Sequence, residues 1–184
     1  AVSGLRALGM TGYLDRRPRI RGLDLHGWGA RQQVLWPSSR FGPFGSAVAR
    51  VEFDDDLRRF AVDRGARMVS GAKAVGVERD GQRIAAVTVQ RDGHRSPIRV
   101  GEVIVADGVK SALGKTLGRQ WHRDTAYGVA GRSYVASELS ESEWMGSHLE
   151  LRDPDGGLLP GYGWVFPLGD GTVNVGVGAL ATAK

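Results

Sequence analysis

The 184-residue sequence predicts an α/β chain of mixed α+β type, and three observations predict it. Asp80-Gly81 and Asp92-Gly93 separate runs of alternating apolar residues, the signature of a hairpin meander. Phe53, Leu57, Phe60 and Ala61 fall on one helical stripe. The run from Pro160 to Pro167, then Asp170-Gly171 and Thr172 to Val177, reads as strand, tight turn and returning strand.

In chain order, Gly22 to Trp28, a Gly29-Ala30 turn and Arg31 to Trp36 make a hairpin, followed by a loop over 37–43. Ser46 to Arg50 reads as a strand and Val51 to Val62 as an amphipathic helix. Asp54, Asp55 and Asp56 sit where the helix dipole favours acid, and Arg58, Arg59 and Arg64 lie toward the other end. Gly65 is the expected stop, with a strand starting over Ala66 to Val69. Ala72 to Glu78, Ile84 to Gln90 and Arg95 to Val100 form the meander. Glu102 to Val105 reads as a short buried strand, Ala106-Asp107-Gly108 as the turn at its end, and Val109 to Leu117 as a helix with Ser111 near its start. From Tyr127 strands return, over 128–136 and 147–152.

Composition excludes several chemistries. Without cysteine the segment has no disulfide, no thiolate nucleophile and no Cys-ligated zinc. No apolar run approaches the length that spans a bilayer. The four histidines, His26, His94, His122 and His148, show no metal-ligand spacing and fall in separate elements. The three aspartates point about 100° apart around their helix and cannot converge on one ion. No metal is expected. The net charge of +5 comes from scattered arginines. The densest cluster, Arg16 to Arg21, suits a solvated loop first, an anionic lipid headgroup next and nucleic acid last, since no nucleic-acid motif accompanies it.

Two stretches carry chemistry. Tyr162, Trp164 and Phe166 alternate, so their rings leave one face of the sheet, while Gly161 and Gly163 leave the opposite face bare. A strand ending in Asp107-Gly108 and feeding a helix is a place to hold a phosphate or a ribose. Residues 160–167 resemble the YxWxFP motif of the geranylgeranyl reductase family of FAD-dependent oxidoreductases, and Asn174 to Gly178 is similar to the family's next strand. Residues 105–111 resemble the GADGxxS motif of the wider flavoprotein superfamily, with Val105 where the family has Gly. Residues 50–57 resemble its R-x-x-F/L-D-x-x-L element. Together they cover nearly the whole chain.

The resemblance implies part of an FAD/NAD(P)-binding flavoprotein fold with a β-meander, plus part of an antiparallel-sheet substrate domain. Residues 44–125 would belong to the former, and 1–43 with 126–184 to the latter. It implies FAD as cofactor, held by Arg50, Asp107, Gly108 and Ser111, and an isoprenoid chain held by Tyr162, Trp164 and Phe166. The family saturates carbon–carbon double bonds of isoprenoid chains in lipids, quinones or pigment precursors. An electron donor, NAD(P)H or a redox protein, would be a further partner, in a cytoplasmic setting that allows peripheral contact with the membrane. No nucleic acid is expected. Tyr162 is the only motif residue able to donate a proton, and no catalytic residue is assigned. The G-x-G-x-x-G unit of such proteins has no counterpart expected here; residues 176–181 match a G-x-G-x-x-A spacing after a strand, but only three residues of the sequence follow, too few for a βαβ unit. The chain is expected to be an internal piece of a longer protein, inactive by itself. Two alternatives stay open: a flavin-dependent aromatic-ring monooxygenase, and a non-catalytic truncated lipid-binding module.

Overall fold

The computed structural model describes residues 2–37, 42–120 and 126–181, so His122 and part of the loop expected over 37–43 lie outside the described residues. The chain separates into two compact units, Ala1–Leu57 with Asp124–Lys184 and, between them in sequence, Arg58–Arg123.

The first unit opens with two short helices, α1 (Val2–Ala7) and α2 (Thr11–Leu14). Its sheet comprises β1 (Gly22–Gly27), β2 (Ala30–Leu35), β6 (Tyr127–Ala136), β7 (Trp144–His148), β8 (Gly161–Pro167) and β9 (Thr172–Ala181), in the order β2-β1-β7-β8-β9-β6. All neighbours are antiparallel except β1 and β7, which run parallel with His26 beside His148. Ile20, Ala47 and Leu168 form a core cluster, with Trp36, Ala49, Met145 and Phe166 packed on it. Burying side chains such as Ile20 and Leu168 is worth about 1.5–3 kcal/mol each. The basic run is used locally: Arg17 meets Glu52 at 3.2 Å, Arg19 reaches Asp15 at 3.6 Å, and Arg21 pairs with Glu143 at 3.2 Å.

The second unit holds the meander, β3 (Lys73–Asp80), β4 (Arg83–Arg91) and β5 (His94–Arg99), and the short helix α4 (Ala112–Thr116). The division between units falls within α3 (Arg50–Val62). That helix ends as expected: Gly65 has φ +95°, its N–H donates to Val62 O, and Ala66 N–H donates to Ala61 O. Asp92 and Gly93 both have positive φ, the type I′ geometry that joins β4 to β5.

Five expectations need correction. The β1–β2 turn is Trp28-Gly29, both with positive φ, rather than Gly29-Ala30. Ser46 to Arg50 is not a strand: a single bridge joins Gly45 to Ile20, and Arg50 already begins α3. Its apolar alternation reports burial of Ala47 in the core, not strand pairing. Ala66 to Val69 forms no strand, and Met68 and Val69 are exposed. Glu102 to Val105 is neither a strand nor buried, with Ile104 91% exposed. An apolar run becomes a strand only where a neighbour pairs its backbone, and no described residue does. β7 begins at Trp144, earlier than the expected 147–152, because its register is fixed by β1.

Candidate functional site

β8 carries the aromatic ladder. Tyr162 and Trp164 have ring centroids 5.7 Å apart, and Trp164 and Phe166 stack at 5.9 Å. The three rings have different surroundings. Phe166 packs on the core cluster. Trp164 is half-buried and donates its indole N–H to Asn174 Oδ1 at 2.9 Å. Tyr162 is 43% exposed. Tyr162 and Trp164 line an open hollow of about 470 Å³ with Gly128, Ala130, Gly178 and Leu180; Phe166 is not among its lining residues. The glycines of β9 explain how a tryptophan fits here. A Cβ at Gly176 would overlap the Trp164 ring, so the indole occupies space that a side chain would take. Asn174, only 6% exposed, then fixes the edge of the ring. The result is a largely apolar trough; among its described lining side chains the polar groups are the Tyr162 hydroxyl and the Trp164 indole N–H, the latter already held by Asn174.

Of the residues expected to hold a cofactor, Arg50 lies in the first unit and Asp107, Gly108 and Ser111 in the second. Arg50 begins α3 with its backbone N–H directed to Tyr134 Oη at 3.5 Å, and its guanidinium forks onto Asp54 at 2.9 and 3.1 Å. In the second unit Gly108 takes φ +83° and Ser111 caps α4, its Oγ accepting from Gly114 N–H at 2.8 Å. The Asp107 carboxyl is held below the usual carboxylate range, chiefly by a hydrogen bond from the Ser111 hydroxyl and also by backbone N–H groups of Ala112 and Leu113. The Asp107 carboxylate thus faces the start of α4, whose N-cap is Ser111. A hollow of about 540 Å³ lies beside this turn, bordered by Asp107, Gly108, Ser111, Gly114 and Arg119. No Cβ contact crowds Gly108 within 4 Å. The turn thus leaves its backbone open to a flat or phosphorylated group, which fits one part of a dinucleotide.

A second polar constellation escapes sequence reading. Asp24, 9% exposed, accepts a bidentate fork from Arg31, Nε to Oδ1 at 2.8 Å and Nη2 to Oδ2 at 2.7 Å. This fork keeps the Asp24 carboxyl below its ordinary range. His26 Nε2 lies 3.3 Å from Asp24 Oδ2, and the His26 ring stacks on His148 at 4.8 Å and 17°. These four residues line a hollow of about 260 Å³ with Trp144 and Val165. Alternation puts it on the face opposite the ladder, since Val165 faces it and Trp164 does not. The D-x-H spacing and the hairpin could have revealed Asp24, His26 and Arg31 together. His148 comes from a parallel pairing that no local pattern announces. Among the described residues, no group of three or more His, Cys, Asp or Glu is arranged to hold a metal ion.

Comparison with known proteins gives the family and the fold. Residues 38–172 match the family described as FAD binding domain. The whole chain is 51% identical to the menaquinone reductase of Mycobacterium tuberculosis (strain ATCC 25618 / H37Rv) and covers 45% of that protein. Over 87% of the chain it is 27% identical to the digeranylgeranylglycerophospholipid reductase of Thermoplasma acidophilum, covering 40% of that protein. The chain therefore spans less than half the length of these relatives. Among solved structures, a geranylgeranyl bacteriochlorophyll reductase-like protein from Thermoplasma acidophilum superposes with TM-score 0.71 at 24% identity, over 88% of this chain and 40% of that one. The flavin-dependent halogenase CmlS superposes with TM-score 0.76 at 22% identity, over 97% of this chain and 33% of that one. At such identities the superpositions establish the fold alone. The family match spans most of the chain, and the chain belongs to the FAD binding domain family, with FAD as its cofactor.

Proposed function

We propose that this chain is part of an FAD-dependent reductase that saturates a carbon–carbon double bond in an isoprenoid chain, with a prenylated quinone as the substrate class. The observation that carries the reading is the apolar trough on β8 and β9, where Tyr162 and Trp164 stand beside glycines. A flat, flexible hydrocarbon chain suits a trough with bare walls and aromatic sides. The relative named menaquinone reductase, similar over the whole chain, supports a quinone bearing such a chain.

In this reading Tyr162 and Trp164 contact the isoprenoid, and Phe166 buttresses Trp164 from the core side. Arg50, Asp107, Gly108 and Ser111 belong to the cofactor's surroundings. Residues 44–125 serve the cofactor, and 1–43 with 126–184 form the substrate sheet. FAD, when bound, supplies the hydride chemistry. The chain's own contribution is to orient the hydrocarbon, keep water from it and offer the Tyr162 hydroxyl as the trough's proton-bearing group. The electron donor is NAD(P)H or a redox protein. A membrane-borne substrate brings the protein to the cytoplasmic membrane surface as a peripheral partner; among the described residues no helix is long and apolar enough to cross a membrane.

The test uses the full-length protein carrying FAD. Incubated with a chemical reductant and menaquinone under anaerobic conditions, it should yield a product heavier by two hydrogens, with the added hydrogens in the prenyl tail by mass spectrometry. Oxygen consumption coupled to ring hydroxylation would favour a monooxygenase. An unaltered quinone under both conditions would leave a lipid-binding module.

A further inference from the structure

We propose that Arg119 is a positioning residue of the cofactor turn: by pinning the carbonyls of Gly108 and Val109, it aims the N–H groups of Val109 and Lys110 at a phosphate of the dinucleotide. The proposal rests on reading the Asp107-Gly108 turn as part of the FAD site.

The sequence after α4 brings Arg119 back to the turn. Gly118 has φ +98°, its N–H donates to Lys115 O at 3.0 Å, and Arg119 N–H donates to Gly114 O at 2.8 Å. This reversal ends the helix and turns the chain. From there the Arg119 side chain runs alongside α4 to its beginning. Its Nη1 donates to Gly108 O at 3.3 Å and to Val109 O at 3.1 Å. Gly114 makes the path available. A Cβ there would lie 2.5 Å from Ser111 Oγ and 3.5 Å from Arg119 Cδ, which explains a glycine inside a short helix that it otherwise weakens.

Peptide geometry supplies the consequence. In a trans peptide the C=O and N–H point in opposite directions. Gly108 O is drawn toward Arg119 and toward Ser111 N–H, so the N–H of Val109, in the same peptide plane, points the other way. Val109 O is drawn toward Arg119 as well, so Lys110 N–H is likewise turned away. Two successive donors then face away from the guanidinium, and Gly108 can take the left-handed conformation this requires. The hollow beside the turn is bordered by Gly108, Val109, Ser111, Gly114 and Arg119.

The test measures flavin binding to the full-length apoprotein by quenching of flavin fluorescence, with FAD and riboflavin as probes and a melt of each apoprotein. Arg119→Ala should weaken FAD about tenfold or more, leave riboflavin, which has no phosphate, unchanged, and leave the apoprotein melting temperature unchanged. Arg119→Lys, which keeps the charge and one donor, should fall between wild type and Arg119→Ala. Equal weakening of FAD and riboflavin, or a melting loss that accompanies the FAD loss in both variants, would make Arg119 a helix brace only and overturn the proposal. Asp107→Ala in the same assay separates the two levels of inference. If it loses FAD while both Arg119 variants keep it, the turn holds cofactor without Arg119; if all three keep FAD, the turn itself is not part of the site.

Discussion

The six-stranded sheet carries a hollow on each face, and the two are built by opposite means. On one face Tyr162 and Trp164 stand beside Gly128 and Gly178, and the described lining side chains are apolar apart from the Tyr162 hydroxyl and an indole N–H held by Asn174. On the other, Asp24, His26, Arg31 and His148 form a cluster joined by a charged fork and a ring stack. The first hollow exists because side chains are missing: glycines make room for an indole. The second exists because side chains are paired. In the proposed reading a hydrocarbon chain takes the first. Among its described lining side chains the indole N–H of Trp164 is already held by Asn174, and the Tyr162 hydroxyl is left to be desolvated. The charged face would lose hydration for no return if a hydrocarbon covered it.

The ladder itself repeats the contrast along one strand. At the Phe166 end a half-buried ring packs on the core cluster; at the Tyr162 end the ladder is open. Phe166→Ala should therefore have the largest effect on stability, about 1.5–3 kcal/mol, below the range of fully buried core truncations because the ring is only half-buried, read from chemical denaturation of the full-length protein. A loss no greater than that of Tyr162→Ala would remove the distinction between the two ends.

On the opposite face, Asp24→Asn should destabilise by about 1–2 kcal/mol at neutral pH, a value discounted because Arg31 is largely exposed. The sign of its pH dependence is fixed by the fork. The folded carboxyl titrates below its unfolded value, so its stabilisation is present above the ordinary carboxylate range and fades as pH falls through the lowered one. Urea melts of wild type and Asp24→Asn should converge as pH drops through that window. Parallel curves down to the acid end would show that the fork contributes nothing.

The smallest structural effect is expected at Gly178→Ala. The added methyl would lie 3.4 Å from Ala130 Cβ and 3.5 Å from the Trp164 ring, close enough to fill space without a severe clash. Melting should move by less than about 1 kcal/mol, while KM for a prenylated quinone rises and that for a short-tailed quinone does not. Equal KM changes for both would place the tail elsewhere.

Much of this was legible in the sequence, for a physical reason. The meander, the β8–β9 hairpin and the ladder are local: turn chemistry and period-two alternation fix them within about twenty residues. The stop at Gly65 was legible because only glycine takes that conformation without strain. Ser46 to Arg50 and Glu102 to Val105 misled because alternation and apolarity report burial or its expectation, whereas a strand needs a partner that the segment itself does not encode. The contact between His26 and His148 was hidden in a parallel pairing across the sheet. The different fates of Phe166, Trp164 and Tyr162 depend on Ile20, Ala47 and Asn174, residues that carry no motif.

The central claim is that the trough beside Trp164 holds an isoprenoid chain, and Trp164→Ala in the full-length protein tests it most directly. Steady-state assay with a prenylated quinone, FAD occupancy and a thermal melt are read from one sample. Loss of the indole's contact with an apolar ligand is worth roughly 1.5–3 kcal/mol, about ten- to a hundredfold in affinity. The account predicts that loss, with flavin retained and only a modest fall in melting temperature. A large fall in melting temperature with proportional loss of flavin, and unchanged affinity in the protein that remains folded, would contradict it and make the whole ladder core.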